Sequence, residues 1–427
     1  MPARPTPVAI LGLNYPPEPT GNAPYTGSLA AGLAARGHAV AVHTAHPHYP
    51  EWRIRPGYGQ RTRTETVDGV TVVRRRHYVP NPPRGVRRLV SELSFGARVL
   101  LGRLRLPGDA VVVAVSPALF ASWLALARVG RRPLIVWVQD LYTLGLAETG
   151  EGGGLVARIT RRVEAATLRR ADRVVVIHDR FARFVIDELA VPADRVEIIR
   201  NWTHLAPGEH LDPQVARRML GWPAEGILAV HTGNMGAKQG LENVVDAARR
   251  ADAALAAVTF LLVGHGGERD ELERQAAGIE RLRFVDPLPD DRFRAALAAA
   301  DILLVNEKPG VSSMAVPSKL TSYFDAGRAV IAATDPDGIT AGEIAASGAG
   351  IVVPAGDPAA LLDAVLTLGA DGERSAQLGR SGRRYRETVL SQDSALDSWE
   401  RLVDAVSGTG RTDARERADP PIPDTFP

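Results

Sequence analysis

Apolar positions in this chain fall into short runs, separated by longer stretches in which they recur every three or four residues. The short runs, rich in Val, Ile, Leu and Ala, read as buried strands, and the longer stretches as helices with one apolar face. In the first half the runs predict strands at Val8–Leu13, Ala39–Thr44, Val70–Arg75, Ala110–Ser116, Leu134–Gln139, Arg173–Ile177 and Val196–Ile199. The second half repeats the rhythm at Ile227–Thr232, Thr259–Gly264, Leu282–Val285, Ile302–Val305, Ala329–Ala332 and Gly350–Val353. Helices fill the gaps: Tyr25–Arg36 stopped by Gly37, then Gly240–Ala251, Arg269–Ala277, Asp290–Ala300, Leu320–Ala326 and Pro358–Leu368.

Such alternation builds parallel sheets covered by helices on both faces. A length of 427 residues exceeds what one core accommodates. The rhythm breaks at Asn201–Pro223, so the chain reads as two α/β domains, residues 1–205 and 206–390. A last helix is expected over 391–408, centred on Gln392–Val406. Residues 409–427 are small, charged and proline-rich, the composition of a disordered tail. Open sheets of this kind bind ligands beyond the carboxyl ends of their strands.

Composition narrows the chemistry. There is no cysteine, which excludes disulfides, thiolate metal ligands and a cysteine nucleophile. No long apolar span or signal-type leader is visible, so a cytoplasmic protein is expected. The net charge of +2 hides an asymmetry: residues 1–205 hold 28 Arg against 16 acids, whereas the rest hold 23 basic residues against 33 acids. A basic first half suits an anionic partner such as a membrane surface; the plainer reading is two solvated halves of opposite sign.

Positive charge is almost all arginine, with only three lysines, Lys238, Lys308 and Lys319. Lys238 lies in the turn Gly233-Asn234-Met235-Gly236-Ala237-Lys238-Gln239-Gly240, and Lys319 follows Val316-Pro317-Ser318. A lysine ammonium is a compact point charge suited to phosphate. Two such loops after apolar strands suggest a diphosphate site; chance is the other reading. At Gln239-Gly240, loop N–H groups, a helix N-terminus and Lys238 are expected to converge. Asn14–Asn22, with Gly21 before a helix, is a second anion-site candidate or a simple cap. The absence of G-x-G-x-x-G there argues against a nicotinamide dinucleotide.

Other chemistries find little support. His43, His46 and His48 lack a carboxylate at metal-ligand spacing. Asp335-Pro336-Asp337, followed by Gly338, reads better as a turn than as a metal-binding Asp-x-Asp. No nucleophile elbow or Walker loop occurs, and no metal, cofactor or nucleic-acid partner is expected. Arg84–Arg105 is the clearest periodic segment. Val86, Leu89, Val90, Leu93, Ala97, Leu100, Leu101 and Leu104 share one arc, with Arg84, Arg87, Arg88, Arg98, Arg103 and Arg105 on the other and Glu92 the only acid. It reads either as a core-facing helix or as one lying on anionic lipid.

The Gly-Asn-Met-Gly-x-x-Gln-Gly-Leu turn and the Pro-Ser-Lys-Leu-x-x-Tyr-x-x-Ala-Gly-Arg-x-Val-Ile-Ala block, with Pro-Pro-Glu-Pro-Thr-Gly-Asn near the start, resemble the family-4 retaining glycosyltransferases. Within that family the capsule, O-antigen and colanic-acid type is most similar, over about Val8 to Val406. The resemblance implies a GT-B fold of two Rossmann-like doubly wound domains, with the final helix crossing back to the first. It also implies a nucleotide-diphosphate sugar held mostly by the second domain, an acceptor held mostly by the first, and no metal. The family's basic pair falls at Asn234 and Gln239, with Lys238 one residue early. Its Glu-x7-Glu falls at Met314 and Ser322, so both glutamates are missing.

By the same resemblance the donor is expected to meet Gly21, Asn22, Gln139, Gly264 and Leu288. Around the missing glutamates, contacts are expected from Met314, Ala315, Val316, Ser318 and Ser322. Asp140 and Lys319 are the expected catalytic residues, Lys319 facing the departing diphosphate. The implied activity is transfer of a hexose or amino sugar from a UDP- or GDP-sugar to a lipid-linked glycan, on the inner face of the membrane. Two rivals share the architecture: a nucleotide-sugar 2-epimerase and a non-catalytic, glycosyltransferase-like partner protein.

Overall fold

A computed structural model describes residues 5–19, 21–81, 86–102, 108–116, 119–144, 154–202, 211–310 and 319–416. The chain divides into two compact units. One holds the first 201 residues with the C-terminal helix from Gln392; the other is Trp202–Ser391.

The first unit carries β1 (Val8–Leu11), β2 (Val40–Ala45), β3 (Thr62–Val67), β4 (Val70–Arg75), β5 (Val111–Ser116), β6 (Leu134–Val138), β7 (Arg173–Val176) and β8 (Val196–Ile198). They pair in the order β3-β4-β2-β1-β5-β6-β7-β8. Every pair is parallel except β3–β4. Without its two edge strands this is the doubly wound Rossmann order. Strand β5 is buried along its whole length, as befits a central strand covered on both faces.

Strand β3 is not predicted by the apolar pattern. Its sequence, Thr-Arg-Thr-Glu-Thr-Val, is polar and mostly exposed, and it holds only the antiparallel edge against β4. The two join through Asp68 and Gly69, both at positive φ (50° and 76°), the two-residue turn that matches strand twist.

The second unit carries β9 (Ile227–Thr232), β10 (Val258–Val263), β11 (Leu282–Val285), β12 (Ile302–Asn306), β13 (Ala329–Thr334) and β14 (Gly350–Pro354), ordered β11-β10-β9-β12-β13-β14 and all parallel. Alternate residues feed two apolar layers. Ala229, Phe260, Leu262, Leu304 and Ile331 face the helices Glu242–Ala253 and Pro358–Ala370. Leu228, Val230, Leu261, Leu303 and Val330 face the helix Lys319–Ala326. In both units the strand order reverses beside the first strand of the set, which places the crevices outside β1/β5 and β9/β12.

The last helix, Gln392–Glu416, docks on the first unit. Trp399 is fully buried with its ring 5.0 Å from that of Trp137, and Arg36 pairs with Asp397 and Glu400. Gly32 makes room for Leu396, whose methyls stand 2.5 Å from where a Cβ would be. The helix extends past Gly408, where the tail is expected to begin. Asp413-Ala414-Arg415-Glu416 are adequate helix formers, and the first proline comes at Pro420.

Helix Val86–Leu101 forms, but neither expected arc is its fully buried face; Leu89, Leu93, Ala97 and Leu100 flank that face half-buried. Ser91, Glu92, Phe95, Gly96 and Val99 are buried instead, and the main neighbour is the helix Leu119–Ala125. Gly96 permits that approach, since a Cβ there would lie 2.9 Å from Ala121 Cα. Glu92 Oε1 accepts from the hydroxyl of Tyr142. Arg98 turns inward, donating to the carbonyls of Arg76 and Arg61 at 3.2 Å each. On the leucine arc, Val90 is 44% and Leu101 81% exposed. Arg84, Arg103, Leu104 and Arg105 lie outside the described residues. Among the described residues, no helix is long and apolar enough to cross a membrane.

Candidate functional site

At the carboxyl end of β9 two strand-to-helix turns interlock. Gly233 N donates to Val263 O at 2.8 Å, Met235 N to His265 O at 3.0 Å, and Glu268 N to Met235 O at 2.9 Å. Only glycine fits at Gly264, whose φ is 140° and where a Cβ would stand 2.0 Å from Gly233 O.

The turn does not run straight into a helix. Ala237–Gln239 form a single 3₁₀ turn, Gly240 is left-handed (φ 54°), and the helix begins only at Glu242. Asn306, at the end of β12, clamps this turn by donating to Gln239 O and Gly240 O at 2.7 and 2.8 Å. Lys308 N donates to Lys238 O at 2.9 Å. The expected convergence of a helix N-terminus with Lys238 therefore gives way to a clamped turn, and Glu242 puts an acid in the helix's first turn. Asn234 and Lys238 are exposed, and Gln239 Oε1 accepts from Gly236 N at 3.1 Å.

Lys319 opens the helix Lys319–Ala326 and reaches back under the turn. Its Nζ lies 3.1 Å from His231 Nε2 and 3.8 Å from where a Cβ of Gly233 would be. His231 is buried on β9 with Nδ1 3.2 Å from Leu304 O. Burial, then the charge of Lys319, pushes its pKa far below the ordinary value. A neutral ring that donates through Nδ1 accepts from Lys319 through Nε2. Burial lowers the lysine's own pKa to about 7, against an upward pull from Glu307. Glu307, just beyond β12, is buried and accepts from the hydroxyls of Thr334 and Thr340. One turn along the helix, Tyr323 accepts from Thr232 N at 2.9 Å, and burial pushes its hydroxyl up to about 12.

The structure thus gathers Gly233–Gly240, Gly264 and Lys319 at the crevice of the second sheet. Ser322 is half-buried on the Lys319 helix. Leu288 packs against the apolar layer that contains Leu320 and Phe324. Met314, Ala315, Val316 and Ser318 lie outside the described residues. His231, Asn306 and Glu307 were missed by sequence reasoning. The available signal was a polar residue inside, or directly after, an otherwise apolar strand.

In the first unit, four expected residues collect at the carboxyl ends of β1, β5 and β6. Asn22 Nδ2 donates to Ser116 O at 3.3 Å, Ser116 Oγ to Asp140 O at 3.0 Å, and Leu141 N to Asp140 Oδ1 at 2.9 Å. Gly21 precedes this group with φ 69°. Gln139 forms a reciprocal amide pair with Asn201 at 3.0 and 2.8 Å, so its polar end is already engaged within the protein. Sequence reasoning also missed Glu164, which accepts from Tyr142 N and Thr143 N at 2.8 and 3.1 Å. Burial holds its carboxyl above the usual range; these hydrogen bonds oppose the rise and the Asp140 charge adds to it.

The three neighbouring histidines serve separate partners. His43 Nδ1 meets Arg75 at 3.0 Å, His46 Nε2 meets Gln60 O at 2.8 Å, and His48 packs on Glu18. Asp335 makes a turn, accepting from Asp337 N and Gly338 N at 2.9 Å each.

Residues 20–202 match a glycosyl transferase 4-like domain and residues 226–371 match the glycosyl transferases group 1. WcaI of Escherichia coli (strain K12), a glycosyl transferase named for colanic acid biosynthesis, is 34% identical over 342 residues, spanning 76% of this chain and 83% of that protein. Among solved structures, sucrose-phosphate synthase from Thermosynechococcus elongatus superposes with a TM-score of 0.71 at 18% identity, covering 95% of this chain and 100% of the other. HepE of Anabaena, solved with UDP, does so with a TM-score of 0.65 at 17% identity, covering 94% and 100%. At those identities the two structures speak for the fold alone. The chain belongs to the family-4 glycosyltransferases of GT-B fold. It is a sugar-transferring enzyme, and its motifs and its likeness to WcaI agree on the colanic-acid type.

Proposed function

We propose that this enzyme moves a hexose or amino sugar from a UDP- or GDP-sugar to a lipid-linked glycan precursor of the cell surface, with retention of configuration and without a metal. The observation that carries the proposal is Lys319. It is a partly buried ammonium resting on a neutral histidine, beside a glycine turn at the crevice of a Rossmann-like sheet. A departing β-phosphate placed over Gly233 would meet that ammonium where water is scarce, so the contact strengthens as charge develops. The likeness to HepE, whose structure holds UDP, and to WcaI supports the nucleotide sugar and the cell-surface glycan.

In the first unit Asp140, beside Ser116 and Asn22, is assigned to the acceptor hydroxyl. In a front-face reaction the leaving diphosphate takes the acceptor proton and Asp140 orients the nucleophile, so no pair of carboxylates of glycosidase type is required. Val90 and Leu101, exposed on the helix Val86–Leu101, support association with a membrane, because exposed apolar side chains beside arginines suit an interfacial helix.

Purified protein incubated with a panel of UDP- and GDP-sugars and lipid-linked acceptors tests this, with nucleotide release and product mass as readouts. Acceptor-dependent release with a glycosylated lipid product is the expected result. Free epimer formed without acceptor would assign a 2-epimerase. Nucleotide binding with no turnover on any donor would assign a non-catalytic partner, the role that the missing glutamates at Met314 and Ser322 allow.

A further inference from the structure

His231 interrupts an apolar strand. Strand β9 reads Ile-Leu-Ala-Val-His-Thr, and its histidine is fully buried. It stands where β9 and β12 stop pairing. Their ladder consists of Ile302↔Ala229 and Leu303↔Val230, and the next carbonyl of β12, Leu304 O, is reached by two side chains. His231 Nδ1 donates to it at 3.2 Å and the Tyr323 hydroxyl at 3.3 Å. The first contact keeps the ring proton on Nδ1 and leaves the lone pair on Nε2. Hydrogen bonding to the backbone of Leu304 and, more weakly, Asn234 favours a second proton, but burial and the Lys319 charge outweigh it and the ring is neutral.

That lone pair takes one N–H of Lys319, 3.1 Å away. An ammonium has three, and among the described residues Lys319 Nζ has no other hydrogen-bond partner. The other two are left for a ligand beside Gly233, which has no side chain to block them. A neutral acceptor combines two properties here. A carboxylate in its place would aim the ammonium but cancel its charge; an apolar residue would keep the charge and lose the aim. The other titratable groups at the pair are Glu307 and Tyr323. Glu307 acts on Lys319 from beyond β12 but is engaged by Thr334 and Thr340, and burial keeps the Tyr323 hydroxyl protonated.

We propose that His231 is the positioning residue of the donor site: it aims Lys319 at the departing phosphate and leaves the lysine's positive charge free for the nucleotide. The proposal rests on the reading of Lys319 given above. It extends that reading by making the lysine's aim depend on a buried side chain that touches no substrate.

Two amides separate this role from a purely structural one. Asparagine sets its amide nitrogen near the place of Nδ1 and keeps a donor for Leu304 O, with nothing at Nε2. Glutamine sets its amide oxygen near the place of Nε2 and gives up that donor. The measurements are melting and the calorimetric affinity for UDP and GDP between about pH 6 and 9, on the full chain carrying His231→Asn or His231→Gln. His231→Asn should melt close to the parent and bind nucleotide about tenfold more weakly near pH 6. Its affinity should begin to fall about one pH unit earlier, because an ammonium without its acceptor gives up a proton more readily. His231→Gln should melt lower, yet bind within about threefold of the parent and keep the parent's pH midpoint. With Lys319→Met already in place, neither substitution should change affinity further.

The opposite ranking, with Gln weak and Asn unaffected, gives His231 a structural role and overturns the proposal. So does an Asn effect that persists without Lys319. If one amide variant fails to fold, the other decides: Asn through the Lys319→Met combination, Gln through its retained midpoint. If the parent binds neither nucleotide, or Lys319→Met binds as the parent does, the donor-site reading falls and this proposal with it. If Lys319→Met weakens binding while His231→Asn leaves affinity and midpoint unmoved, only the role of His231 falls.

Discussion

If Lys319 meets the departing diphosphate as proposed, it is the position where stability and function pull in opposite directions. Its pKa of about 7, against an ordinary 10.5, means that the folded protein disfavours the ammonium by on the order of 4–5 kcal/mol. Between pH 7 and 10.5 the unfolded chain holds a proton that the folded one has released, so stability rises with pH across that window. Below it the penalty is fully present. On the proposed assignment, a bound diphosphate would supply the missing counter-charge and recover part of that energy as affinity. Two consequences follow for Lys319→Met, which keeps the length and removes the charge. It should melt at a higher temperature than the parent near pH 6, with the gap closing toward pH 10. It should also bind UDP, and transfer sugar, at least about a hundredfold less well, equivalent to about 2.7 kcal/mol. In the parent, UDP affinity followed by calorimetry should weaken above pH 7 by up to about tenfold per unit, as the free-state lysine loses its proton. The variant should show no such slope. Parent affinity that stays flat from about pH 7 to 9, or a Met variant that melts lower near pH 6, would refute the reasoning.

Two further outcomes test the scaffold. Glu18 is buried and accepts from His48 N, Tyr49 N and Asn14 at 2.8 to 2.9 Å. Burial pushes its carboxyl up, but the contacts with His48 and Tyr49 outweigh it and hold the pKa below the usual value. Its contribution is therefore present at neutral pH and lost as pH falls through that lowered pKa. Glu18→Ala should cost about 2–4 kcal/mol in urea unfolding near pH 7 and less in strong acid; an equal cost at both would refute the assignment. Gly264→Ala must separate the two interlocked turns, since its Cβ would stand 2.0 Å from Gly233 O. A stability loss of more than about 2 kcal/mol, together with weakened UDP binding, is expected, and unchanged melting and affinity would count against the interlock.

The strands were legible because most are continuous apolar runs buried on both faces, where composition alone identifies them. Strand β3 escaped because an edge strand needs little burial; Asp68-Gly69 was its available signal. In the helix Val86–Leu101 the periodicity was visible but the packing face was not. That face depends on Gly96 fitting Ala121 and on Glu92 meeting Tyr142, and both partners lie in other elements. Lys319 stood out as a rare lysine after Pro317-Ser318. His231 did not, because its role exists only once β9 is set beside that helix.

The docking of the last helix bears on how the protein is made. The first unit takes residues from both ends of the chain, whereas the second is one unbroken stretch, Trp202–Ser391. During synthesis the first sheet can begin to assemble early, but Trp137 lacks its Trp399 neighbour, and Arg36 and His38 lack Glu400, until the final helix has emerged. The later-synthesised unit therefore has all its residues before the earlier one does, reversing the usual order in which domains complete their folding. Any attempt to express the first unit alone needs the helix from Gln392 supplied with it.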